Sequence, residues 1–245
     1  QEESYFSHGY LIPFVSGYLI YQLRDRLKDI PLSSSLFGLW VILFALVIHM
    51  LGVMGDINFV SGFSMVIYIT GCCLYLFGAQ FTRMISFPLF FLLFMCPVPD
   101  GLIDIVALPT KAIATTLSLH LIDLINIPYI REGFVIHFPD ATYVVGAPCN
   151  GMRSLITFFA LGFLFLYFIK SSWWKKGLLL LFITPISIVL NGLRIAILLL
   201  IAHRYGQEAA SPESYLHDGS GLLVFLIGLV ALFFFARKIS DEDIR

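Results

Sequence analysis

Long apolar segments separated by short polar turns dominate the chain. A helix that crosses a bilayer needs about 20 mostly apolar residues. Because the apolar positions run on without strict alternation, they favour membrane α-helices over the strands of a β-barrel. The segments that we assign to spans are residues 5–23, 36–52, 59–78, 155–169, 178–201 and 222–235.

Two segments between these spans are less regular. Residues 85–95 are apolar but short, and they end in a proline-rich turn over residues 96–101. Residues 102–127 are apolar but interrupted, so we expect them to lie along the outer membrane interface or to pack inside the bundle. The interrupting residues are Asp104, Pro109, Lys111, His120 and Asp123.

A strand-like pattern precedes the fourth of these spans. β-Branched and aromatic residues flank the turn at Pro139-Asp140, over residues 132–138 and 141–145, which predicts a small hairpin outside the lipid. The predicted fold is an all-α polytopic membrane protein, a helical bundle with a small extracytoplasmic β-hairpin-like segment before Cys149. We treat residues 1–245 as a single membrane-embedded domain, and the start at Gln1 leaves room for a further N-terminal helix.

Composition narrows the function classes. With 59% hydrophobic and 13% charged residues, the chain is expected to be an integral membrane protein. The net charge of -1 says nothing about nucleic acid, but no basic cluster is large enough to suggest such a partner. The four cysteines have neither a disulfide framework nor a zinc-site spacing, so we expect no metal and no cofactor.

The positively charged residues predict the sidedness. Lys170, Lys175 and Lys176 flank two tryptophans in one loop, and the positive-inside rule assigns that loop to the cytoplasm. Cys149 and the predicted loop with His217 then lie together on the opposite, outer face.

Cys149 is the candidate nucleophile. It follows Pro148 in a turn and precedes an apolar run that is typical of a helix, and a helix N-terminus favours a thiolate. The alternative interpretation is an inert cysteine in a membrane helix.

Arg194 is a charged residue inside an apolar span. It lies seven residues before the predicted outer end of that span, about 10 Å deep at 1.5 Å per residue. An arginine there costs about 2 to 3 kcal/mol, so it should face a polar partner or a cavity rather than lipid, unless it snorkels to the headgroups. Asn191 would share its helix face.

Two more positions could support the thiol. Arg153, four residues after Cys149, would share its helix face and could favour the thiolate, hold a substrate carboxylate or sit at the headgroups. His217-Asp218 opens the last span, where a histidine is otherwise solvated or structural. A cysteine, a histidine and a cation on one side of the membrane form a set suited to thiol acyl transfer.

These motifs resemble the exosortase/archaeosortase family of membrane transpeptidases. The resemblance covers nearly the whole chain and rests on motifs in the family's order. They are Ser7-His8-Gly9 with Pro13, Pro97-Val98-Pro99, Glu132-Gly133, Pro148-Cys149-Asn150-Gly151-Met152-Arg153-Ser154-Leu155, Pro185, Asn191-Gly192-Leu193-Arg194 and His217-Asp218-Gly219. Asn150 departs from the serine that bacterial members commonly have, which leaves the subfamily and the recognition motif open.

The resemblance implies a function. Such enzymes act in the cytoplasmic membrane of prokaryotes, with an outward-facing site, on secreted proteins whose C-terminal sorting signal is a short motif, a transmembrane helix and a basic tail. Cys149 would be the nucleophile, with Arg194 and His217 as its catalytic partners. Arg153, Asn150, Asn191 and Asp218 would be substrate-binding or supporting residues. A thioester intermediate would pass to a lipid or glycan acceptor, or to water.

Two functions of other classes stay open at this point. One is a non-enzymatic small-solute transporter with Arg194 and Asp123 along a polar pathway, although the sequence shows no inverted repeat. The other is a thiol redox membrane protein that pairs Cys149 with Cys96, although these cysteines form no CxxC motif.

Overall fold

The chain is helical over most of its length. A computed structural model describes residues 7–139, 141–146, 149 and 151–241. Five of its helices are long and apolar enough to cross a membrane, which confirms the predicted all-α polytopic class. The α-helices are α1 (Ile12–Gln22), α2 (Arg24–Lys28), α3 (Leu36–Met54), α4 (Asn58–Phe77), α5 (Ala79–Met84), α6 (Ser86–Phe91), α7 (Asp100–Asp123), α8 (Met152–Phe168), α9 (Trp173–Tyr205) and α10 (Tyr215–Ile239).

The chain forms two compact units, residues 2–102 and residues 103–245. In the first unit, α3 and α4 pack as a tight helical hairpin. Glycines permit this approach, because a Cβ added to Gly38 would lie 2.3 Å from the backbone nitrogen of Tyr75. A Cβ added to Gly71 would likewise lie 3.0 Å from the backbone nitrogen of Ile42. These small residues therefore set the distance between two helices that are otherwise apolar.

The apolar run over residues 85–95 does not form one helix. It divides into α6 and a 3-10 helix over Leu92–Met95. The prolines that follow, at positions 97 and 99, cannot continue a helix, in agreement with the predicted turn.

The second unit contains α7 to α10. Helix α9 runs for 33 residues with Pro185 inside it, and it packs against both α8 and α10. Gly228 of α10 lies close to α8, since a Cβ placed there would be 2.3 Å from the ring of Phe158. Phe158 in turn stacks on Phe225, with ring centroids 5.4 Å apart. Helix α7 covers most of residues 102–127 as one uninterrupted helix of 24 residues.

A three-stranded antiparallel sheet stands between α7 and α8. The strands are β1 (Ile130–Glu132), β2 (Val135–His137) and β3 (Thr142–Val144), in that order. The predicted hairpin corresponds to β2 and β3, and β1 is an additional strand. It forms because Gly133, with a φ of 64°, turns the chain back before Val135.

One side of the sheet packs into the core of the second unit. Ile136 and Val145 are fully buried there, together with Leu198 and Leu199 of α9. The sheet therefore fixes the end of β3, and with it the segment that leads to Cys149, against the C-terminal part of α9.

The last helix begins earlier than the sequence suggested. We expected a loop up to residue 220, but α10 starts at Tyr215. The reason is an N-cap: the Ser214 hydroxyl accepts a hydrogen bond from the Leu216 N-H at 3.2 Å. His217 therefore lies in the first turn of a helix, not in a loop.

Candidate active site

Cys149 lies in the connection between β3 and α8. Its side chain is buried, with 1% of the residue surface exposed, and its N-H donates to the Gly146 carbonyl at 3.2 Å. Gly151 has a left-handed φ of 75°, and α8 begins one residue later at Met152. Ala147, Pro148 and Asn150 lie outside the described residues, and so does the predicted supporting role of Asn150.

The left-handed glycine corrects one prediction. Arg153 was expected to share a helix face with Cys149, which requires both residues to be in one helix. Because Gly151 is left-handed and α8 begins after it, Cys149 is not part of the helix that contains Arg153. Arg153 is exposed, whereas Cys149 is buried. The two residues therefore do not share the face of one helix.

Asn191 holds the backbone of the cysteine. Its side chain is buried in α9, and its Nδ2 donates to the Cys149 carbonyl at 2.8 Å. The same amide packs on Gly151, where an added Cβ would lie 3.0 Å from Cγ of Asn191. The predicted polar residue on the Arg194 face thus contacts the cysteine segment directly.

Arg194 and His217 meet across α9 and α10. Nη2 of Arg194 lies 3.5 Å from Nε2 of His217, and His217 is buried. A guanidinium nitrogen can only donate, so Nε2 is the acceptor and the ring hydrogen belongs on Nδ1. Asp218 lies beyond that nitrogen, with Oδ1 3.9 Å from Nδ1, and its side chain is 82% exposed.

Tyr143 is a site residue that the sequence analysis missed. Its hydroxyl lies 3.6 Å from the Cys149 sulfur. Burial raises the pKa of the Tyr143 phenol, and the nearby Cys149 raises it further, so the hydroxyl stays protonated and can donate to a thiolate. A signal was present: Tyr143 shares the inward face of β3 with buried Val145, and a buried tyrosine hydroxyl usually needs a partner.

Lys111 is a second residue whose role the sequence did not reveal. It projects from α7 in the second unit, and its Nζ lies 4.2 Å from the centroid of the Phe134 ring. It also interacts electrostatically with Cys149. A positive group therefore lies near the thiol from a helix that we had assigned only to the interface or the bundle.

A cavity of about 180 Å³ lies beside Tyr143, Cys149 and His217. Cys149 and His217 both line it, so the thiol and the imidazole face one space, and Tyr143 lines it beside them. Its remaining lining comes from the end of β3 and from the segment between α9 and α10: Val144, Gly146, Gln207, Ala210, Ser211 and Pro212.

Arg194 lines a neighbouring cavity of about 30 Å³ between α8, α9 and α10. Its guanidinium contacts His217, and His217 lines the larger cavity. Of the predicted residues, the structure thus brings together Cys149, Asn191, Arg194 and His217, while Arg153 and Asp218 have exposed side chains. The combination can hold a thiol, accept a proton and stabilise negative charge.

The chain was also compared with known proteins. The family model described as transmembrane exosortase (Exosortase_EpsH) matches residues 1–234. No curated protein and no solved structure matches the chain.

Proposed function

Since the chain belongs to the transmembrane exosortase family, we propose that it is a cysteine peptidase or transpeptidase with Cys149 as nucleophile. Its substrates are secreted proteins that carry a C-terminal sorting signal, a short motif followed by a transmembrane helix and a basic tail. The observation that carries this proposal is the single cavity that Cys149 and His217 line, with Arg194 3.5 Å from the imidazole.

The first chemical step is acylation of the thiol. Cys149 gives its proton to Nε2 of His217, and the sulfur attacks the scissile carbonyl carbon. A C-S bond forms as the C-N bond breaks, and the leaving amine takes the proton from His217. The products are a thioester on Cys149 and the released membrane tail.

The cations stabilise the charge that develops in this step. When substrate binds, the guanidinium of Arg194 leaves the Nε2 lone pair and donates to the scissile carbonyl oxygen, so Nε2 is free to take the thiol proton. Tyr143 donates to the sulfur while it is a thiolate. Such donors are most effective in a buried site, where water does not weaken them.

The thioester is then resolved. His217 removes a proton from an amine or hydroxyl of a lipid or glycan acceptor, or from water, and that nucleophile displaces the sulfur. Both routes return Cys149 to the thiol form. The loop with Lys170, Lys175 and Lys176 supports a cytoplasmic position for the end of the molecule opposite the site, so the reaction takes place at the outer face of the cytoplasmic membrane.

Co-expression with a tailed secreted protein from the same genome tests the proposal. We expect wild-type protein to shift the substrate on a gel, and Cys149→Ala, Arg194→Ala and His217→Ala to abolish the shift. Hydroxylamine should release the cleaved substrate as a hydroxamate, which mass spectrometry identifies. Processing that survives in Cys149→Ala would refute the proposal.

Cys96→Ala is the matched control for the redox alternative. Both cysteines are buried and neither is in a disulfide. Acyl transfer needs only Cys149, so Cys96→Ala should process the substrate normally. Loss of processing in both variants would instead indicate a reaction that needs two thiols.

A further inference from the structure

The outer edge of β3 leads directly to the cysteine. The sheet order is β1-β2-β3, so among the residues that the structure describes no strand pairs with the second edge of β3. We propose that this edge binds an extended polypeptide segment as a fourth strand and thereby presents its scissile carbonyl to Cys149. This inference rests on the proposed function, because it assigns the form in which that site receives its substrate.

The hydrogen-bond register identifies the groups on this edge. Val145 N-H donates to the Phe134 carbonyl at 2.9 Å, and Phe138 N-H donates to the Ala141 carbonyl at 2.7 Å. In an antiparallel pair, the residues that bond to the partner strand alternate with residues whose N-H and C=O point away. Val144 is therefore one of the residues whose backbone groups point to the outer edge.

Val144 is the exposed residue at the end of β3. It is 51% exposed, whereas Tyr143 and Val145 on either side are buried. Within the described residues, none of the backbone hydrogen bonds outside the regular elements involves Val144. One N-H and one C=O are thus placed to bond an incoming strand, which is the way that sheet edges recognise extended peptides.

One cavity extends from the end of β3 to the Cys149 thiol. Val144, Gly146 and Cys149 line the same space of about 180 Å³. A segment paired with Val144 would therefore have its next residues beside the sulfur. Gly146 adds no side chain at this point, which leaves the space open to small side chains of the bound segment.

These observations define the ligand by its chemistry. It must be an extended chain with free backbone N-H and C=O groups on one side, and the cavity of about 180 Å³ limits the size of its side chains near the thiol. A helical segment would not fit, because its backbone groups bond internally. The substrate must therefore be unwound where it is cut, outside its membrane helix.

Labelling of the purified full chain in detergent with a peptidyl reagent tests the pairing. The probe is acetyl-Ala-Val-Ala-Gly chloromethyl ketone; the Cys149 thiolate displaces chloride from its chloromethyl carbon and forms a thioether. The rate at which the probe alkylates Cys149 is divided by the rate with iodoacetamide, which has no peptide that could pair with β3. The ratio therefore measures peptide binding apart from thiol reactivity. A matched set of probes carries one N-methyl group at each amide in turn.

We expect N-methylation at every second amide to lower the rate ratio about tenfold and methylation at the intervening amides to change it little, because only alternate amides face a partner strand. Val144→Pro removes the outer N-H without removing a bond to β2, and it should lower the ratio similarly. An unchanged ratio with every methylated probe would refute the pairing, even if Val144→Pro fails to fold.

The outcomes separate this inference from the proposed function. Alternating sensitivity without any processing of the tailed substrate would support strand pairing and refute the peptidase. Processing that depends on Cys149, together with a ratio that no methyl group changes, would support the peptidase and refute pairing at the β3 edge.

Discussion

Nη2 of Arg194 lies 3.5 Å from Nε2 of His217, at the meeting of α9 and α10. In a catalytic triad a carboxylate usually orients the imidazole from the side opposite the nucleophile. Here a guanidinium occupies the Nε2 side, and the carboxylate of Asp218 is exposed and 3.9 Å from Nδ1. Arg194 thus contacts the ring nitrogen that is to take the thiol proton, rather than standing where the carboxylate of a triad would be.

This geometry predicts unequal effects of removing the two charges. Arg194→Ala should lower processing of the tailed substrate at least about 100-fold, the effect of losing a donor to the developing oxyanion. Asp218→Asn should lower it less than about threefold, because an exposed ion pair contributes little. Initial rates of the gel shift measure both. A loss in Asp218→Asn as large as in Arg194→Ala would contradict the assignment.

Tyr143→Phe should make Cys149 less reactive near neutral pH. The phenol oxygen lies 3.6 Å from the sulfur, and its raised pKa keeps the hydroxyl protonated through the physiological range, so it can donate to a thiolate. Loss of that donor should slow alkylation by iodoacetamide several-fold at pH 7, because the thiolate is the form that reacts.

Tyr205→Phe is the matched control for this prediction. Tyr205 ends α9 in the same unit and is 75% exposed. It should alkylate like the wild type at every pH. Equal pH profiles for Tyr143→Phe and wild type would show that the phenol has no effect on the thiol.

Hydrophobic runs of membrane length were enough to predict α3, α4, α9 and α10. The predicted span over residues 5–23 was wrong, because its described residues contain only the 11-residue helix α1 after a 3-10 turn. Residues 36–52 and 59–78 correspond closely to α3 and α4, because nothing in these segments competes with a helix. The start of α10 was missed because its first turn is polar. A serine N-cap and packing of His217 against protein, rather than hydrophobicity, place that turn in the helix.

The site was predictable only in part. Arg194 and Asn191 were visible because polar residues in an apolar span require partners. The predicted shared helix face of Cys149 and Arg153 was wrong, because α8 begins only after Gly151, which has a left-handed conformation. The hydrogen bond from Asn191 to Cys149 joins residues 42 positions apart, and local patterns cannot predict such a contact.

Asn191→Ala should destabilise the protein and disorder the cysteine segment together. The amide is the donor to the buried Cys149 carbonyl at 2.8 Å, and an unsatisfied buried carbonyl costs about 1 to 3 kcal/mol. We expect a lower Tm in detergent and faster alkylation of the loosened thiol. Asn191→Asp keeps the shape but loses the donor, so it should behave at least as badly; wild-type stability in that variant would show that the hydrogen bond is unimportant.

Gly228→Ala should destabilise the helix packing that holds His217 and Arg194 together. An added Cβ would lie 2.3 Å from the Phe158 ring and 2.6 Å from Cδ1 of Leu190, so α10 would have to move away from its neighbours. Overpacking of this kind costs about 1 to 3 kcal/mol.

Gly219→Ala is the control on the same helix, because its added Cβ meets nothing within 4 Å. Alanine also favours a helix over glycine by up to about 1 kcal/mol. Thermal unfolding should show a lower Tm for Gly228→Ala and an equal or higher Tm for Gly219→Ala, whereas equal destabilisation by both would show that α10 does not depend on this close approach.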